Sequence, residues 1–129
     1  MDKLDKDSVI GISALLVHAA NIDEIYSDHE KDLVKDFIKS YLKDDDVNEI
    51  LKKAEEIENN SNQLLNYTNI IKKNSMDIKK DIIEHLWKVI ISDNTVDQYE
   101  SNLMRRICGL IYFPDKECAE IKLKLINNK

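Results

Sequence analysis

Two short acidic stretches carry the residue types best suited to chemistry. They read Asp23-Glu24-Ile25-Tyr26-Ser27-Asp28-His29-Glu30 and Asp93-Asn94-Thr95-Val96-Asp97-Gln98-Tyr99-Glu100. Carboxylates, backbone carbonyls and a hydroxyl are hard oxygen donors, the kind that suits Ca²⁺ or Mg²⁺. The pattern is not an EF-hand. Counted from Asp93, Gln98 stands where that loop requires glycine, and Met104 stands where it requires a bidentate glutamate. Part of each stretch has a simpler role. Ser27-x-x-Glu30 and Asp97-x-x-Glu100 are capping boxes, in which each side chain satisfies a backbone N–H of the other residue. A cap of this kind contributes about 1 kcal/mol, which alone accounts for Ser27, Glu30, Asp97 and Glu100. It does not account for Asp23 and Asp93. Both fall where an incoming helix should end, at the negative pole of its dipole, where an acid costs about a few tenths of a kcal/mol. Their presence in both stretches calls for something that offsets the cost: a bound cation, an Arg or Lys of another helix, or water.

Other constellations are weaker. His18, His29 and His85 form no zinc-like pair, and Cys108 and Cys118 lie ten apart without a C-x-x-C. His18 and His85 read as helix-surface or half-buried residues. A Cys108–His85 nucleophile pair has no supporting motif, and Cys108 falls on the apolar side of its helix as an inert core thiol. Gly11 and Gly109 are isolated within helical stretches, so no phosphate-binding loop or nucleophile elbow exists. Trp87 reads as a core or groove aromatic. No general base is identifiable, and a non-enzymatic protein is expected.

The elements that must position the acids follow from the apolar spacing. Val9, Ile12, Leu16, Ala19 and Ala20 mark a first helix, from about Asp7 to Asn21. Leu33, Val34, Phe37, Ile38 and Tyr41 mark a second, starting near Ser27. Val47, Ile50, Leu51, Ala54 and Ile57 give a third, with Asp44-Asp45-Asp46 at its dipole-positive start. A shorter fourth carries Leu64, Tyr67, Thr68 and Ile71. The fifth spans about Met76 to Ser92, the sixth ends near Pro114, and Cys118, Ile121 and Leu125 give a short seventh. Shifting the chain by 70 residues superimposes two helix–loop–helix stretches: Leu16 on Leu86, Ala19 on Val89, Leu33 on Leu103 and Phe37 on Ile107. Asp23 then falls on Asp93 and Glu30 on Glu100, in phase with the apolar stripes. The expectation is a single all-α domain over residues 1–129, a compact bundle of about seven helices with two pseudo-symmetric helical hairpins.

Composition narrows the partners. The chain has 129 residues, 25 acidic and 19 basic, a net charge of −6, and only 2 Gly and 1 Pro. So few turn residues argue against a many-stranded sheet. The acidic balance and scattered basic pairs exclude a nucleic-acid surface. No apolar run reaches the roughly 18–20 residues of a membrane span, and the Met1-Asp2-Lys3-Leu4-Asp5-Lys6-Asp7 start lacks a signal peptide. Reduced thiols and a cytoplasmic location are expected.

The stretch Leu15-Leu16-Val17-His18-Ala19-Ala20-Asn21-Ile22-Asp23, followed by Glu30, resembles the TerB-like (tellurite-resistance) family. So does Leu86-Trp87-Lys88-Val89-Ile90-Ile91-Ser92-Asp93-Asn94, followed by Glu100 and Leu103-Met104-Arg105-Arg106-Ile107. The resemblance covers roughly Ser8 to Lys124. It implies an all-helical domain acting in stress response, without enzymatic activity, that binds a divalent metal ion through paired acidic loops. The implicated ligands here are Asp23, Glu30, Asp93, Asp97 and Glu100. Glu24 and Asn94 depart from the family pattern, which has glycine after the aspartate; Asn94 adopts a left-handed backbone readily, Glu24 less so. The alternative is a metal-free helical adaptor whose acidic loops dock a basic segment of a chaperone or membrane-associated protein partner.

Overall fold

The computed structural model describes residues 5–21, 28–43, 46–60, 64–91 and 98–127, with backbone only at 64–66 and 98–100. Seven helices and no strand lie within them: α1 (Lys6–Ala20), α2 (Asp28–Tyr41), α3 (Val47–Asn60), α4 (Leu64–Lys72), α5 (Met76–Ile91), α6 (Gln98–Leu110) and α7 (Asp115–Asn127). The seventh is as long as the sixth, not the short terminal piece that the spacing of Cys118, Ile121 and Leu125 suggests.

Helix α1 occupies the centre. Every residue from Val9 to Val17 is buried, because no charged side chain interrupts that run, and α2, α3, α4 and α5 all pack against it. Helix α4 comes close at Gly11, where a Cβ would sit 2.5 Å from Ile70 Cδ1. One polar atom was enclosed with the rest: the Ser13 hydroxyl has no hydrogen-bond partner among the described residues.

Local chemistry fixes the helix ends. Asp5 caps α1 by accepting the Ser8 N–H at 2.7 Å, and its hydrogen bonds with Ser8 hold the carboxyl below its usual range. Asp46 caps α3, accepting from the N–H groups of Asn48 at 3.0 Å and Glu49 at 3.4 Å. Ser75 does the same for α5 through the Ile78 N–H at 3.3 Å. Helix α6 stops one turn before Pro114. The Phe113 N–H donates to Cys108 O at 2.8 Å and the Tyr112 N–H to Gly109 O at 3.4 Å, the paired bonds of a Schellman motif. Its left-handed position is held by Tyr112, at φ 60°, with Lys72 Nζ 4.9 Å from the ring centroid.

The packing extends the 70-residue repeat to a third helix. In the first unit α2 and α3 pack on α1 and on each other; in the second, α7 packs on both α5 and α6. Helix α5 joins the units by lying against α1 and α2, while α4 touches α1, α5 and α6. One continuous apolar cluster, from Val9 to Ile121, runs through both.

Candidate functional site

Of the five sequence-predicted ligands, Asp23, Asp93 and Asp97 lie outside the described residues, as do the capping positions Ser27 and Asp97. Glu30 stands in the first turn of α2 and is buried, with 8% of its surface exposed. Glu100 lies in the first turn of α6. Among the described residues no group of three or more metal-ligating side chains gathers.

The described polar clusters are elsewhere, and there are three of note. At the C-terminal end of α1, Glu58 of α3 reaches across to His18 and Asn21. His18 Nδ1 lies 3.0 Å from Glu58 Oε1, and Asn21 Nδ2 donates to Glu58 Oε2 at 3.3 Å. Asn21 also closes α1 with its own N–H, which reaches Val17 O at 3.0 Å. Burial, reinforced by the nearby Glu58 charge, raises the Tyr67 hydroxyl above its ordinary pKa.

A second cluster joins α2 to α5. The Tyr41 hydroxyl donates to Asp81 Oδ2 at 2.6 Å, and His85 Nε2 lies 3.6 Å from Asp81 Oδ1. Phe37 meets the His85 ring edge-on, 5.2 Å between centroids. Desolvation dominates at His85 and lowers its pKa despite the Asp81 charge; at Tyr41, burial and the bond to Asp81 push the hydroxyl far up. His85 is therefore committed to Asp81, and the Cys108–His85 nucleophile pair considered from the sequence does not form.

The third cluster is made of sulfur. Cys108 on α6 and Cys118 on α7 are both free and buried. Trp87 Nε1 donates to Cys118 Sγ at 3.3 Å, with Lys122 Nζ 5.4 Å from the indole centroid. The Cys108 side chain and the indole N–H lower the Cys118 thiol pKa, whereas Cys118 and burial raise the Cys108 thiol. Trp87, Met104, Arg105, Cys118 and Lys122 line a surface cleft there.

Sequence reasoning passed over Glu58, Asn21, Tyr41 and Asp81 as polar partners. A signal for Glu58 did exist: it follows Ala54 by four residues, on the stripe of Ile50, Leu51 and Ala54. The structure buries Glu58 at 8% exposure and leaves Ile57 at 39%, so the polar residue, not the apolar one, faces inward.

Residues 10–123 match the family model described as tellurite resistance protein TerB. The match covers most of the chain, which belongs to this all-helical family. No curated protein and no solved structure matches it. No helix among the described residues is long and apolar enough to cross a membrane.

Proposed function

We propose that this protein is a non-enzymatic, cytoplasmic member of a tellurite-resistance-type stress response that binds a divalent cation, Ca²⁺ or Mg²⁺, through its two acidic stretches. The family match carries this reading, because residues 10–123 span both stretches. Asp23 and Asp93 are the primary ligands, with Glu30, Asp97 and Glu100 as further ligands or as caps that hold the backbone. The donor set is all oxygen, which favours a hard ion over zinc. A bound dication would supply positive charge beyond the C-terminal ends of α1 and α5, which Asp23 and Asp93 follow in sequence. The ion's part is structural or sensory; this chain's residues hold it and transfer no proton.

Thermal melts with Ca²⁺, Mg²⁺, Mn²⁺ or Zn²⁺ test the reading. An ion at a hundredfold excess over its Kd stabilises the folded state by about 2.7 kcal/mol, a shift of several degrees at this chain length. The shift should appear with Ca²⁺ or Mg²⁺ and vanish in the Asp23→Asn/Asp93→Asn double variant. A melting temperature indifferent to all four ions contradicts it.

A second reading, the metal-free adaptor, has one observation of its own. Leu123 and Ile126 leave apolar surface exposed on α7, which a protein partner would cover. That reading predicts no ion effect in the wild type.

A further inference from the structure

The outer side of α7 carries an ordered charge pattern that neither the core nor the acidic stretches use. Helix α7 runs antiparallel to α5. Trp87, late in α5, donates to Cys118, early in α7, while Lys80, early in α5, shares a cleft with Lys124, late in α7. Buried Ile121 lines that cleft, and its charges are sorted along it. Glu84, Glu117 and Glu120 stand toward the N-terminal end of α7, Lys80 and Lys124 toward its C-terminal end. Lys116, a base in the acidic half of α7, lies outside the cleft and is offset by Asp115. Lys80 with Glu84 and Glu120 with Lys124 are spaced to pair within their own helices. Neither pair closes, and none of the five charges makes a salt bridge within the described residues. Leu123, between Glu120 and Lys124, is 57% exposed. One such leucine is ordinary on a surface; the sorted charges around it are not.

We propose that this face is a homodimer interface, in which α7 and its cleft with α5 dock on the same surface of a second copy of the chain. The inference does not rest on cation binding. A surface with an acidic end and a basic end complements itself when the second copy is turned end for end, which is what a two-fold axis perpendicular to α7 does. Glu120 and Lys124 lie one turn apart on one side of the helix. An axis crossing α7 near Lys122 therefore sets Glu120 against the partner's Lys124, and Lys124 against the partner's Glu120. The same axis brings Leu123 against the partner's Leu123 and withdraws both from water. A parallel arrangement would set acid on acid. The resulting seam has four helices, α5 and α7 from each copy, the packing of an antiparallel bundle. One helix pair per copy offers less than the roughly 800 Å² per partner of a standard interface, so the dimer is weak and concentration-dependent.

Sedimentation velocity in metal-free buffer, from micromolar to millimolar protein, tests the proposal apart from any ion. The wild type should pass from monomer to dimer as its concentration rises. Leu123→Lys should stay monomeric with an unchanged circular dichroism spectrum, since the side chain replaced is exposed. Glu120→Lys and Lys124→Glu each set like charges across the axis and should each raise the dissociation constant about tenfold. Mixing those two variants restores opposite charges at both contacts, so the mixture should dimerise at concentrations where neither variant does alone. A dimer built on another face, or a surface meant for a foreign chain, gives no such rescue. A wild type that stays monomeric throughout, a dimer that survives Leu123→Lys, or a mixture no more associated than its components would overturn the proposal. Each of those results leaves the cation reading standing.

Discussion

The two three-helix units place the same kind of contact under different chemistry. In each, the third helix packs on the first: α3 on α1, and α7 on α5. In the first unit the polar bond across that contact is a carboxylate, Glu58, holding His18 and Asn21. In the second it is a thiol, Cys118, accepting from the Trp87 indole. One packing arrangement therefore tolerates either a charged clasp or a soft, nearly apolar one. What differs is the agent that disturbs each: loss of charge or hydrogen bonding for the first, removal of an aromatic anchor for the second.

Substitutions that break one clasp at a time make the comparison quantitative. The largest effect is expected at Trp87, which is 4% exposed and both fills space and donates to sulfur. Trp87→Ala should cost about 3–5 kcal/mol in urea unfolding. Next comes Glu58→Ala, which strands His18 and Asn21 and should cost about 1.5–3 kcal/mol; Glu58→Gln, keeping an acceptor, should cost clearly less. If both Glu58 variants were harmless, the first clasp would be packing alone. Tyr112→Gly should stabilise, by a few tenths to about 1 kcal/mol, since glycine relieves the left-handed backbone but gives up the Lys72 contact and adds unfolded-state entropy.

The smallest effect lies at the seam between the units. Burial lowers the His85 pKa, so the unfolded chain takes up a proton there before the folded one does. Stability from this group is complete above the ordinary histidine pKa of about 6.5 and declines as pH falls below it. His85→Gln should flatten the stability profile from about pH 7 to 5.5 while the wild type slopes downward. A wild-type profile that rises toward acid would mean that Asp81 outweighs desolvation.

The helices themselves were legible because long apolar stripes leave little choice of period. The residues proposed from spacing for α1, Val9, Ile12, Leu16, Ala19 and Ala20, are all buried. Helix ends were legible where a short polar side chain caps them, as Asp46 does for α3. The end of α6 was not, since Pro114 marks only where a helix must already have stopped. The Schellman turn comes earlier, around a tyrosine that no turn rule would choose. The acidic stretches read as a repeat because matching charges stay in phase with matching apolar positions, but residues 22–27 and 92–97 lie outside the described residues. The clasps were not, because Glu58 with His18, Tyr41 with Asp81, and Trp87 with Cys118 are separated by 40, 40 and 31 residues. Such pairs depend on how helices are stacked, and periodicity along one helix holds no information about its neighbour.

The central claim, that the duplicated acids exist to hold a divalent cation, is tested most directly by calorimetric titration of the metal-free protein. Ca²⁺ or Mg²⁺ should give saturable heats in the wild type and none in the Asp23→Asn/Asp93→Asn variant, with the helical spectrum of that variant unchanged. Titrations of the folded wild type that return only heats of dilution for both ions would contradict the account and leave the acidic stretches as helix caps.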